Sequence, residues 1–249
     1  MTLTLGALQR KRDEALWLTT RTPIETPAEA GTFLKKVGIA LRYGPATNLP
    51  LASMYRAASA SSVIKGAPVR AIELTNHLLG SASAIEVNVV ADRLTLVHRS
   101  LMPALYTLVR RGRTIDDLSG IGMNGRAAFA LIRQRREVTA GDVRQHLGLR
   151  VDPRVDPGYA ALDELKRVLL VDRGPFEIRK SGIPYLSQEG YPNHFFHEAH
   201  PDLVRTAGKL SVAEASDAFV QHYLDGASRP PRKTINSNRR IDQRSLRSI

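Results

Sequence analysis

"IEVNVVADRLTLVH", residues 85–98, is the stretch whose reading decides the fold of this chain. Ile85, Val87 and Val89 alternate with polar or smaller positions, Ala91-Asp92-Arg93 turns, and Leu94, Leu96 and His98 alternate again. A period of two on both sides of a short turn predicts a β-hairpin. Upstream the period is different. Thr26-Pro27 with Glu29 reads as an N-cap, a proline at the first helical position and an acid in the first turn. Phe33, Leu34, Val37 and Leu41 then repeat at helical spacing, so a helix is expected to run to about Arg42 before Gly44-Pro45 stops it. A short helix is expected at 7–20, another at 51–58, and a third from Pro68 with Val69, Ile72 and Leu79 on its inner face.

The order of three helices and a hairpin then recurs. Residues 126–136 read as a helix. Val138-Thr139 caps "AGDVRQHLGL", a short helix ended by Gly148. Pro157 leads into "GYAALDELKRVLL", whose Leu162, Leu165 and Leu169 share a face, and "LLVDRGPFEIRK" reads as strand, turn, strand. Residues 101–112 form a connecting helix, and 201–208 and 211–224 two more. The expected class is therefore α+β, mainly α, built from tandem winged-helix units. The first, with its leading and connecting helices, spans 1–112. The second, with the C-terminal helices, spans 113–227, and a basic tail expected to be disordered spans 228–249.

The chain has 249 residues, 43% hydrophobic and 24% charged, the composition of a soluble globular protein. It lacks cysteine, which excludes disulfides, thiol nucleophiles and cysteine-based zinc sites. The first basic residues follow the apolar start, the reverse of a secretory signal, and the expectation is a cytoplasmic protein with no membrane partner. The net charge of +12 favours a polyanion. Half of it lies in the tail, where seven cations face Asp242 alone.

Several quoted stretches resemble a known family. "AGTFLKKVGIALRYGPATNLPLASMYRAA", "LTLVHRSLMPALYTL", "EVTAGDVRQHLGLR", "YAALDELKRVLLVDRGPF" and "AEASDAFVQHYLDGA", in this order across residues 28–226, are similar to the tandem winged-helix DNA glycosylases of the AlkZ/YcaQ type, and more closely to short relatives that lack the catalytic motif. The family removes bulky alkylated bases and unhooks interstrand crosslinks. It continues into a third winged helix, where this chain runs into Gly226 and the basic tail. Its active members end the helix corresponding to "FLKKVGIALRY" in Gln, any residue, then Gln or Asp, which position and activate the attacking water. The alignment puts that pair on Leu41 and Tyr43; one residue back it falls on Ala40 and Arg42. An apolar side chain cannot take a proton. The resemblance therefore implies a winged-helix protein without the catalytic pair, with 37–44 mostly a core helix end and Arg42 free to reach phosphate or solvent.

Arginines carry the binding expectation. Arg110, Arg111 and Arg113 end one helix and enter a loop, and Arg126, Arg133, Arg135 and Arg136 lie on the next. With Arg42, and with Arg93 and Arg99 on the hairpin, they are the expected contacts to duplex DNA, made mostly to phosphates. "GIGMNG", 120–125, is a loop that could offer amides to a phosphate ahead of Arg126. Asp116-Asp117 is expected at a helix start capped by Thr114. Asp163 and Glu164 near the start of the second unit's third helix would repel phosphate there, so that helix is expected to build scaffold or meet a protein partner. "HFFHEAH", 194–200, is expected to be a packed linker and not a metal site, and no cofactor is expected. Should the chain be a glycosylase by other means, Glu73, Asn76, His77 and His98 are the polar candidates. A protein-interaction or regulatory module is the third reading.

Overall fold

The computed structural model describes residues 23–44, 51–59, 69–90, 93–150, 156–173 and 191–227, with a few isolated positions before residue 23. The expected helix at 7–20 and the tail at 228–249 lie outside this set, apart from those isolated positions. The protein is α+β and mainly helical.

Helix α1, Pro27–Val37, starts as its sequence predicts: Thr26 and Glu29 form a reciprocal capping box. It does not run to Arg42. Gly38 ends it at φ 71°, and Ile39–Leu41 is a strand, β1. The helical spacing of Leu41 was a coincidence of two buried elements in series. A Cβ at Gly38 would lie 2.5 Å from the His222 ring and 2.6 Å from Leu101, so the break is fixed by packing as well as by backbone.

The short helix expected at 51–58 is split. Ala52–Ser53 is strand β2, parallel to β1, and Met54–Ala57 is one helical turn, α2, capped by the Ser53 hydroxyl. Helix α3, Val69–Gly80, buries Ala71, Leu74, Thr75, Asn76 and Leu78. Val69 is 69% exposed, so the inner face is rotated from the one expected. The hairpin is present as β3, Ala84–Val90, and β4, Arg93–His98. The sheet order is β2-β1-β4-β3, with β1 antiparallel to β4. Both faces of this sheet are covered. Leu96 and Ala40 join the core under α1 and α3, while Val97, Ile39, Ile85 and Val87 join a second cluster.

That second cluster also holds Leu101, Met102 and Leu105 at the start of the connecting helix α4, Met102–Arg110, and Leu169, Phe196 and Leu203 from beyond residue 112. Apolar packing is therefore continuous from the first hairpin into the second half. There, α5 (Met123–Arg135), α6 (Ala140–Leu147) and α7 (Pro157–Arg167) surround Phe129, Ile132, Val143, Leu162 and Leu165. Thr139 caps α6 through a box with Asp142, and Gly148 ends it in the left-handed region, as its sequence predicts. Asp156 caps α7 and pairs with buried Arg144 at 2.5 Å.

Strand β5, Val171–Asp172, pairs with β6, His194–Phe195. The return strand expected at "FEIRK" lies outside the described residues. Val138 forms a bridge to Asn193, so a short extended segment between α5 and α6 flanks this small sheet as β1 flanks the first. Helices α8 (Phe196–Ala199), α9 (Pro201–Ala207) and α10 (Val212–Ala227) follow, with α9 and α10 packed on α4. Residues 114–118 are turns and not a helix start: the Asp117 carboxylate accepts from the Ser119 amide at 2.9 Å. Among the described residues no helix is long and apolar enough to cross a membrane.

Candidate nucleic-acid interface and a buried charge cluster

The ten arginines expected to contact DNA fall into three groups. Two are buried. Arg110 donates to the carbonyls of Val168, at 3.1 Å, and Thr114, tying the connecting helix to the loop after it. Burial pushes its guanidinium below the ordinary range. Arg42 pairs with Glu86 at 2.5 Å, both side chains under 10% exposed. Burial opposes its charge, but the Glu86 carboxylate outweighs this and holds the pKa above its usual value. The expectation that Arg42 is free to reach solvent or phosphate is thus corrected. It follows a strand inside the sheet, not a fraying helix end, and a carboxylate on β3 already holds it.

Five more arginines pair with carboxylates near the surface. Arg99 meets Asp202 at 2.6 Å, Arg113 meets Asp117 at 3.7 Å, and Arg135 meets Asp142 at 3.2 Å. Arg136 meets Glu198 at 2.6 Å, and Arg133 meets Asp116 while lying over the Phe129 ring. The last three carry no carboxylate partner among the described residues. Arg93 is exposed at the start of β4. Arg111 is exposed at φ 45°, and its guanidinium donates to the Leu108 carbonyl at 3.2 Å. Arg126 bonds the carbonyls of Leu118 and Ile121 and keeps an exposed residue surface.

The glycine loop is not an open phosphate cradle. Glu164 reaches from α7 and accepts from the Gly122 amide at 2.8 Å, so a carboxylate of the chain itself sits at the start of α5. Asp163 accepts from Asn88 on β3 at 3.2 Å. The face of α7 bearing these two acids packs within the chain, against the first hairpin and the loop before α5.

"HFFHEAH" is drawn in four directions. His194 faces Glu137 at 3.5 Å, His197 stacks on Phe195, Glu198 takes Arg136, and His200 bonds Asp172 at 2.6 Å. Among the described residues no three His, Asp or Glu side chains converge as a metal set. The alternative catalytic candidates do not converge either. Glu73 and His77 are exposed on α3, and Asn76 is buried beneath them. His98 instead caps the turn into α4, accepting from the Ser100 amide. Leu41 is 2% exposed in the sheet, and Tyr43 is 46% exposed, its ring tilted 57° to that of Tyr55 at 5.3 Å.

Sequence reasoning missed what lies beside Tyr43. Glu86 takes Arg42 from one side and Arg173 from the other, the latter at 2.9 Å. Arg173 lies over the Tyr191 ring at 4.0 Å. Lys166, on the last turn of α7, is 3.4 Å from Asp163 and feels both Arg173 and Glu86. A signal existed: Glu86 and Asn88 stand where an alternating strand shows its solvent side, but here that side is covered. Neither a family model, a curated protein nor a solved structure matches the chain.

Proposed function

We propose that the chain is a duplex-DNA-binding protein made of two winged-helix units, holding DNA through backbone contacts and lacking the glycosylase's water-activating pair. The observation that carries this reading is the repeated topology. Helix α1, strand β1 and helices α2 and α3 precede the paired strands β3 and β4, with β2 inserted after β1, and helices α5, α6 and α7 precede the paired strands β5 and β6; β1 lies antiparallel beside β4, and Val138, between α5 and α6, makes an antiparallel bridge to Asn193 next to β6. This order, helices followed by paired strands, supports the winged-helix reading.

The contact set is narrower than the arginine count. Arg42 and Arg110 are structural. Arg93, Arg111 and Arg126 supply charge unanswered by carboxylate, and the surface pairs of Arg113, Arg133, Arg135 and Arg136 can exchange partners. Exposed pairs are worth only about 0–1 kcal/mol, whereas a phosphate offers charge-assisted bonds. Leu41 in the core leaves no room for a water-activating side chain, so no base release from alkylated or crosslinked duplex is expected.

Fluorescence anisotropy with a labelled duplex tests the binding. Affinity should fall by about 10³ or more between ~50 and ~200 mM salt if six or more phosphates are contacted. Arg111→Glu with Arg126→Glu should weaken it without changing the fold, and removal of 228–249 should weaken it further through lost charge. No binding at low salt by the full chain overturns the reading, and abasic-site formation from alkylated duplex overturns its non-catalytic half.

A further inference from the structure

The chain holds 28 arginines and 8 lysines. Buried cations follow that preference: Arg42, Arg110 and Arg144 are all guanidinium groups tied by hydrogen bonds. Arginine suits such places because it does not lose its proton and its fork satisfies several acceptors. Among the described lysines, Lys35, Lys36 and Lys209 are exposed, and Lys166 alone is sheltered, with 15% of its side chain reachable by solvent. It lies in the cluster of Glu86, Arg42, Arg173, Asp163 and Asn88. One of the cluster's groups is unsatisfied: the Asn88 amide oxygen is buried and accepts no hydrogen bond, although its nitrogen serves Asp163. A structural ion pair here would call for arginine. A lysine is the cation that can give up its proton.

We propose that the Lys166 amine is a nucleophile that captures an aldehyde as an imine, and that the aldehyde is the ring-opened sugar of an abasic site in DNA. The choice of substrate rests on the DNA-binding reading above; the nucleophile does not. The amine nitrogen bonds to the aldehyde carbon as the carbonyl π pair moves to oxygen. Asp163, 3.4 Å from the amine, carries one proton from nitrogen to the alkoxide, giving the carbinolamine, and then the second from nitrogen to its hydroxyl, which leaves as water as the C–O bond breaks and the nitrogen lone pair closes the C=N bond. Amine and aldehyde give imine and water, with no oxidant or metal needed. Two further features suit the chemistry. Burial, reinforced by Arg173, pushes the amine below its ordinary pKa against the pull of Asp163 and Glu86, so a larger share is unprotonated near neutrality. The orphan Asn88 oxygen offers an acceptor beside Asp163 for the carbinolamine hydroxyl.

The full chain is treated at pH 7 with limiting formaldehyde and cyanoborohydride, and labelled lysines are mapped by peptide. Lys166 should be methylated at least tenfold faster than Lys35, Lys36 or Lys209 despite its shelter, and Asp163→Asn should slow it. Equal or slower labelling overturns the nucleophile. In a second arm, duplex with one abasic site and borohydride should give a covalent adduct that intact duplex does not, lost in Lys166→Arg. That variant keeps the charge, and its melting curve and duplex affinity check the fold. Labelling without an adduct, while abasic duplex binds, overturns the abasic substrate. Failure of either duplex to bind is a failure of the DNA reading, and the formaldehyde arm still decides the amine.

Discussion

Helices α1 and α5 end in the same way but with different residues. Gly38 has φ 71° and its amide bonds the Leu34 carbonyl at 2.7 Å; Arg136 has φ 69° and its amide bonds the Ile132 carbonyl at 2.7 Å. Each then turns into an extended segment beside a pair of antiparallel strands. At the first junction α10 and Leu101 crowd the Cα, and only glycine fits. At the second the side chain points out to Glu198, and an arginine endures the unfavourable backbone. Helices α3 and α7 diverge in the same sense. The outer face of α3 is open, whereas α7 packs on the first hairpin and contributes Asp163 and Lys166 to the charge cluster. At both helix ends and on both helices, what packs over the segment decides which residues it tolerates.

The two strand pairs, β3–β4 and β5–β6, offer the sharpest break in that comparison. Glu86 in the first neutralises two guanidinium groups that cannot shed their protons. Glu86→Ala should cost about 3–5 kcal/mol, because it leaves buried charge unpaired. Asp172 in the second bonds a single imidazole, His200, at 2.6 Å, so Asp172→Ala should cost less, about 1–3 kcal/mol. Urea unfolding of both variants measures the difference, and equal costs would mean the first cluster is already hydrated.

The junctions come next. Gly38→Ala should destabilise by about 2–4 kcal/mol, from positive-φ strain plus overpacking against His222 and Leu101. Arg136→Gly should change stability by less than about 1 kcal/mol, since relief of strain is offset by the flexibility of glycine and loss of an exposed pair. If Gly38→Ala proves as mild as Arg136→Gly, α10 does not hold the first junction in solution.

These contrasts mark what was legible in the sequence. Caps were, because Thr26, Thr139 and Gly148 act on their own neighbours. The 85–98 hairpin was, because its turn separates two alternating runs. The end of α1 was not: Leu41 keeps helical spacing, and the break at Gly38 is enforced by His222, far away in sequence. Charged positions were the least legible. A surface reading of the arginines holds only until carboxylates from other elements are placed beside them. Asp202, Glu198 and Glu86 lie 103, 62 and 44 residues from their arginines. The buried cluster was invisible for the same reason: it unites β3, the segment after β1, α7 and Arg173, and only the packing of α7 on the hairpin brings them together.

The smallest expected effect concerns the exits of the two strand pairs. Strand β4 leads into a helical turn capped by His98, whose Nδ1 accepts from the Ser100 amide at 3.3 Å; β6 leads into α8 through Phe195, with no side-chain cap. An accepting Nδ1 must be unprotonated, so acid should remove the first cap and leave the second exit untouched. Burial lowers the His98 pKa, and Lys35 and His222 push the same way. A pKa depressed on folding means that the unfolded chain binds the proton first. The stability it contributes is complete above the unfolded value of about 6.5 and is lost as the pH falls from there through the folded value. His98→Asn keeps a capping side chain and cannot titrate. Between pH 7 and 5 the difference in urea midpoint between parent and variant should therefore shift steadily in favour of the variant, by less than either junction change produces. A difference that stays constant across that range would show that His98 keeps its proton balance on folding and that the two exits are equally indifferent to acid.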